Sequence, residues 1–401
     1  MASNKVAVLV PDGAADLPLD ELGGMTPLEA AATPNMDAVA SRGVVGLVYT
    51  VPDGMPPGSD VANLSLLGYD PATHYGGRGP IEAANLGIEI PPGWTAFRCN
   101  LVATDGKRML DYSAGHISQE DAGRLIEALQ LGLGDDDTRF LQGKSYRNIM
   151  LVKGDYSKLA CIPPHDITGE PLLPHMPQGE GAQRIIRLMS RSREVLASLA
   201  GGVTSADMIW PWGQGTRMSL EPFKELFGVS GGVISAVDLV CGLGMLAGLR
   251  PVPVPGMTGF LDTNYKGKGE AACRVLAEDD FIYVHVEAPD EAAHMGDITE
   301  KVKALERFDA SIVGPVLEHL ESSGERYRLL VCPDHPTFIS TRTHDSSPVP
   351  YAACGSGIRA SASKKFCERE AESGGPHFDP GWKLMSVLTA NEDWGQTPSA
   401  E

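Results

Sequence analysis

"YRLLVCPDH", residues 327–335, decides the fold. Leu329 to Cys332 read as a fully buried strand, and the run stops at a proline followed by an acid and an imidazole, Asp334 and His335. Pro-Asp is ordinary turn chemistry, so this stretch alone does not explain why a core strand should end on two such groups. Two further stretches repeat its grammar. "KVAVLVPDG" (5–13) is an apolar strand ending in Asp12, and "FIYVHVEAPD" (281–290) ends near Glu287 and Asp290. Helical patterns lie between them, in "TPNMDAVASRG" (33–43), with Thr33 or Asn35 placed to cap, and across 297–324. Strands alternating with helices predict an α/β unit with a largely parallel sheet. In such sheets ligands bind beyond the carboxyl ends of the strands, where all three acidic groups fall.

The chain has 401 residues, enough for two domains with a core each. A net charge of −19 argues against binding nucleic acid or acidic membranes. It does not argue against a small anionic substrate, which feels local charge. Seven scattered cysteines without a Cys-x-x-Cys fit a reducing compartment. The N-terminal apolar run is too short for a signal peptide. The most apolar long window, 233–249, contains Asp238 and reads as a buried helix rather than a membrane span. The expectation is a soluble, cytoplasmic protein.

From about Pro91 to Gly228 the grammar changes. Turns multiply ("IPPGW", "LGLGDDD", "PPHDITGEPLLPHMPQGEG"), with helical patterns at 118–130 and 180–200 and strands at 147–154 and 206–215. We read 91–228 as a smaller α+β domain inserted into the first, whose halves are 1–90 and 229–401.

Several residues could carry chemistry. Asp290 and His294 are four apart and share a face if their segment is helical. Asp334 and His335 adjoin in a strand-end loop, His344 follows nine residues later, and Asp12 comes from the far N-terminus. Singly, the first pair reads equally as a surface helix pair and His344 as a loop histidine. Together, three carboxylates and three imidazoles suit two ions such as Zn²⁺ or Mn²⁺, roughly 4 Å apart as in two-metal phosphoryl transfer. Ser59, after Pro-Pro-Gly in "MPPGSDVANLSLLGYD" (55–70), opens an apolar helix pattern. A serine there either caps the helix, as Asp60 also could, or sits where the helix N-terminus favours phosphate. A metal on its oxygen would make it a nucleophile.

The chain resembles the cofactor-independent phosphoglycerate mutases of the archaeal type, within the alkaline phosphatase superfamily. The resemblance rests on "VPDGAADLP" (10–18), "TPLEAAATPNMDAVASRG" (26–43), "PPGSDVANLSLLGYDP" (56–71), "GRGPIEAANLGI" (77–88), "HDITG" (165–169), "TGFLDTNYKGK" (258–268), "HVEAPDEAAHMGD" (285–297), "CPDHPT" (332–337) and "THDSSPVPY" (343–351), in the family order. It implies an alkaline-phosphatase-like three-layer α/β sandwich with an inserted domain that holds glycerate and closes over the site. Ser59 resembles the phosphorylated serine. Asp12, Ser59, Asp334 and His335 resemble the ligands of one metal, and Asp290, His294 and His344 those of the other. Lys266 resembles the lysine that contacts the transferring phosphate.

One stretch departs from the family. "LDYSAGHIS" (110–118) stands where many relatives carry an arginine-rich segment. That leaves Arg78, Arg98, His116, His165 and Asp166 as candidate substrate contacts. Arg98 reads equally as a structural ion pair and His165-Asp166 as a turn.

The resemblance implies interconversion of 3- and 2-phosphoglycerate in glycolysis and gluconeogenesis. It would use two divalent ions, Mn²⁺ favoured over Zn²⁺, Co²⁺ or Mg²⁺, and no bisphosphoglycerate. A metal phosphatase or another phosphomutase would share the chemistry as far as phosphoserine. A noncatalytic phosphosugar-binding protein would need no metal. The expected partner is a small-molecule substrate alone.

Overall fold

Seven strands line up in the order Val44–Val48, Val349–Gly355, Tyr327–Val331, Lys5–Pro11, Phe281–Val286, Gly231–Ile234 and Arg250–Pro251. The last five pair parallel, and Val349–Gly355 runs antiparallel to both of its neighbours. This is the architecture of the computed structural model, which describes residues 4–199 and 204–394. The three strands read from the sequence are neighbours at the centre. Lys5–Pro11 pairs with Phe281–Val286 on one side and with Tyr327–Val331 on the other.

Each central strand is buried on both faces, hence the continuous apolar runs. Ala7, Leu9, Ile282, Val284, Leu329 and Val331 face one way, into a core closed by the helices Pro34–Arg42, Tyr265–Glu278 and Ile298–Phe308. Helix Asp238–Leu246 packs on the Gly231–Ile234 strand, and helix Lys383–Thr389 on Tyr327–Val331.

The window 233–249 differs from expectation. Its first residues finish the strand Gly231–Ile234, and the helix covers only Asp238–Leu246. A strand that enters its helix through a three-residue turn leaves no polar break in the sequence. Among the described residues no helix is long and apolar enough to cross a membrane.

The chain divides into two units, Met1–Tyr75 with Leu220–Glu401, and Gly76–Ser219. The second therefore begins and ends earlier than the expected 91–228. Helix Arg78–Asn85 accounts for the first shift. It packs on the strands Trp94–Thr104 and Met208–Thr216, and its Ala83 joins Trp94, Ala96, Ile149 and Leu151 in one cluster. The smaller unit's sheet is antiparallel, with Trp94–Thr104 between Arg147–Lys153 and Met208–Thr216. Helices Gln119–Leu133 and Ala182–Leu199 supply Leu125, Leu129, Ile185 and Met189 to a core that includes Phe97, Cys99 and Leu101.

Candidate active site

The register of the parallel strands brings their ends level. Val10 pairs with His285 and Leu9 with Val331, so the residues that follow emerge together. Asp12, Asp334 and His335 lie in the loops that follow, and Asp290 projects from the short helix Ala288–Met295. His294 follows on that helix at i+4, with Nε2 3.2 Å from Asp290 Oδ2. His344 Nε2 approaches to 3.0 Å from His294 Nε2 and 3.4 Å from Asp290 Oδ1. His335 Nε2 lies 3.5 Å from Asp12 Oδ1 and 3.6 Å from Asp334 Oδ2.

Ser59 is the first residue of helix Ser59–Leu66, and its Oγ is 3.2 Å from His335 Nε2. Gly58 occupies the N-cap position, so neither Ser59 nor Asp60 spends its side chain on capping. All seven expected ligand residues, Ser59 among them, thus fall in one cluster.

The cluster fits divalent cations. Asp12, Asp290 and Asp334 are at most 5% exposed, and His335 is fully buried. Burial pushes the Asp12 carboxyl well above its usual range, and the charges of Asp334 and Asp290 push it further. Against the effect of burial, the His294 and His344 imidazoles hold Asp290 well below that range. His335 and His285 do the same for Asp334. Asp12 Oδ1 is buried with no hydrogen-bond partner. Buried carboxylates facing each other need a positive charge among them.

Nearby Asp16 is excluded from this count, because Lys301 Nζ neutralises it at 2.7 Å. His294 Nδ1 bonds the Arg342 carbonyl at 2.9 Å, which leaves Nε2 as a ligand nitrogen. Among the described residues, three groups have ligand atoms close enough to share an ion: Asp290, His294 and His344; Asp12, Asp290 and His335; and Asp12, His285 and Asp334.

Several residues that hold this cluster escaped the sequence reading. Asn63 Nδ2 donates to Asp334 Oδ2 at 2.7 Å and to the Ser59 carbonyl at 2.8 Å, while its Oδ1 accepts from Tyr283. Thr337 Oγ1 donates to Asp290. His285 is fully buried, its Nε2 3.2 Å from Asp12 Oδ2. Only strand alternation could have flagged it, since it shares a sheet face with Tyr283, two residues earlier.

Gly13 is a backbone constraint of the same kind. Its φ is +62°, and a Cβ there would lie 2.6 Å from both Asp290 Oδ1 and Thr337 Oγ1. We expect Gly13→Ala to cost about 1–3 kcal/mol and to weaken ion binding by displacing Asp290. Thermal unfolding and Mn²⁺ titration together check this.

Lys266 pairs within its own helix. Its side chain is 83% exposed and lies 3.7 Å from Glu270. Two residues on, Lys268 is fully buried and donates to the His285 carbonyl at 3.1 Å. Both lie in the first turn of helix Tyr265–Glu278, and a shift of two positions reverses which face is presented.

The candidate substrate contacts gather in the smaller unit, around Trp212. The Arg98 guanidinium lies 4.6 Å from the Trp212 ring centre, Arg78 5.6 Å, and His165 packs edge-on at 5.3 Å. Arg98 also pairs with Glu82 at 2.9 Å, so the structural ion pair exists. Its Nε is nevertheless buried without a partner. Burial, aided by Arg98 and Arg78, lowers the His165 pKa against the pull of Asp166. His116 and Asp166 are more peripheral. His116 is exposed and touches Tyr146, and Asp166 is 57% exposed beside His165. Trp212, Tyr112 and Tyr146 were not expected here; the signal for Trp212 was the strand-to-loop "IWPWGQG" (209–215).

Known proteins resemble this chain over nearly its full length. The profile of a family described as 2,3-bisphosphoglycerate-independent phosphoglycerate mutase matches residues 40–200. A protein of that name from Methanothrix thermoacetophila is 47% identical, the alignment covering 96% of this chain and all of the relative. One from Geobacter sulfurreducens, named as a probable member, is also 47% identical over 96% of this chain and 99% of its own. Among solved structures, the PH0037 protein from Pyrococcus horikoshii aligns with a TM-score of 0.79 at 27% identity, covering 97% of this chain and 98% of its own. The cofactor-independent phosphoglycerate mutase from Thermoplasma acidophilum aligns at 0.65 and 26% identity, covering 97% and 99%.

Proposed function

We propose a function from one premise: the chain belongs to the 2,3-bisphosphoglycerate-independent phosphoglycerate mutases, a family of isomerases. It interconverts 3-phosphoglycerate and 2-phosphoglycerate through a phosphoserine at Ser59. The observation that carries the reading is the meeting of Ser59 Oγ, at a helix N-terminus, with three buried carboxylates and three imidazoles.

Asp12, Ser59, Asp334 and His335 would hold one divalent ion, and Asp290, His294 and His344 the other. Bound there, the ions would lower the serine's pKa and neutralise charge on the phosphoryl oxygens. Ser59 Oγ attacks phosphorus in line, and the proton it gives up ends on the departing glycerate oxygen. The P–O bond to that oxygen breaks. Backbone N–H groups at the helix start face the phosphate. Glycerate then reorients, its other hydroxyl loses a proton to attack phosphorus, and the Ser59 oxygen leaves.

Water must be kept from the phosphoserine while glycerate turns. We assign the glycerate carboxylate to the smaller unit, where Arg98 and Arg78 concentrate positive charge beside His165 on a protein of net charge −19. Arg98→Met and His165→Ala are expected to raise the apparent KM and to increase inorganic phosphate released per 2-phosphoglycerate formed. If both variants leave that ratio and KM at wild-type values, these residues do not hold glycerate. The metal requirement, Mn²⁺ as the preferred ion and a place in cytoplasmic glycolysis belong to the same reading.

A further inference from the structure

We propose that His285 is a positioning residue of the metal centre, gripping one oxygen of Asp12 so that the other faces the ion. The inference rests on the metal-binding reading of the cluster and adds to it a residue outside the seven expected ligands.

His285 sits at the end of strand Phe281–Val286, fully buried, beneath Asp12 and Asp334. Its Nε2 is 3.2 Å from Asp12 Oδ2 and 3.7 Å from Asp334 Oδ2. Its Nδ1 is 3.3 Å from Ser235 Oγ. Ser235 Oγ already accepts from the Val237 N–H at 3.0 Å. The hydroxyl proton still needs an acceptor, and Nδ1 is the one beside it. Nε2 faces two carboxylate oxygens, which accept when ionised, so the ring proton belongs on Nε2 and Nδ1 accepts from Ser235.

The two Asp12 oxygens thereby take different duties. Oδ2 turns toward the His285 N–H. Oδ1, buried and without a hydrogen-bond partner, turns toward His335 at 3.5 Å, where the ion would be held. The Nε2–Oδ2 approach is close but not aligned as a hydrogen bond. Contacts of this kind tighten when a site is loaded. Groups that orient a metal ligand typically contribute between about 10- and 100-fold in affinity. Asp334 has its own supports in Asn63, the Gly13 N–H and the His335 N–H, so loss of His285 falls mainly on Asp12.

The test is calorimetric titration of the full chain with Mn²⁺, alongside the absorption spectrum of the Co²⁺-loaded protein. His285→Phe keeps the bulk and removes both nitrogens, and is expected to weaken the ion held by Asp12 by about 10- to 100-fold. At saturating Co²⁺ its spectrum should match wild type, because no ligand is lost. His285→Gln restores a side-chain N–H and should recover part of the affinity. Ser235→Ala, which frees the tautomer, should show a smaller loss. Unchanged affinity in His285→Phe overturns the proposal. A changed Co²⁺ spectrum at saturation also overturns it, since His285 would then be a ligand itself. If His285→Phe does not fold, unchanged affinity in Ser235→Ala overturns it instead. A wild-type chain that binds neither ion would sink the metal reading as a whole, an outcome distinct from all of these.

Discussion

Ser59→Ala is expected to fold as the wild-type chain does and to lose at least about a thousandfold in mutase turnover. The two halves of that result have separate causes. Folding is spared because the Ser59 side chain makes no cap bond and alanine is the better helix former. A change of less than about 1 kcal/mol in stability follows. Turnover is lost because Ser59 Oγ is the hydroxyl beside His335 Nε2, whereas the Thr337 hydroxyl in the same cluster is committed to Asp290. Ser65, the nearest serine on the same helix, is 1% exposed and lies six residues further along. Circular dichroism, thermal unfolding and a coupled assay for 2-phosphoglycerate measure both halves. Near wild-type turnover in a folded Ser59→Ala protein would falsify the phosphoserine route.

Removal of divalent ions should have an effect of similar size, and it should reach stability as well. Chelation is expected to abolish turnover, and Mn²⁺ to restore it. An ion at a hundred times its dissociation constant stabilises the native state by about 2.7 kcal/mol, so the melting temperature should fall on chelation and recover with the metal.

The pH dependence of ion binding has a definite sign. The hydrogen bond to Asp290 raises the His294 pKa to about 9 against the effect of burial. Below that pH the proton occupies the nitrogen the ion needs, so protons compete from about pH 9 downward. Apparent Mn²⁺ affinity should fall as pH drops, by about tenfold per unit for each proton displaced. His335, whose pKa is lowered chiefly by burial, does not compete near neutrality. Replacing His294 with glutamine should weaken binding and flatten the slope. A pH profile indifferent to Mn²⁺ concentration would count against imidazole ligands.

The core strands were legible because burial on both faces writes an unbroken apolar run, and because each run ends on an acid where a parallel sheet presents its loops. Ser59 was legible through its setting after Pro-Pro-Gly. What stayed hidden has a common physical origin. His285, Asn63 and Thr337 act across the sheet or between elements, and their partners are fixed by register rather than by spacing along the chain. The resemblance named Lys266 without a helix phase, and the phase sends Lys266 outward and Lys268 into the core. The start of the smaller unit was misplaced for a similar reason. Helix Arg78–Asn85 lies before the turns where the grammar changes, yet its apolar face packs on strands that come later.

The central claim is that one chain moves a phosphoryl group between two hydroxyls of the same glycerate, using divalent ions and no phosphorylated cofactor. The most direct measurement supplies the chelator-treated protein with 3-phosphoglycerate and follows 2-phosphoglycerate and inorganic phosphate together, with and without Mn²⁺ and with no bisphosphoglycerate added. Conversion to 2-phosphoglycerate that appears only with Mn²⁺, with little free phosphate, is the predicted result. Conversion that requires bisphosphoglycerate, or Mn²⁺-dependent release of phosphate without 2-phosphoglycerate, would contradict it.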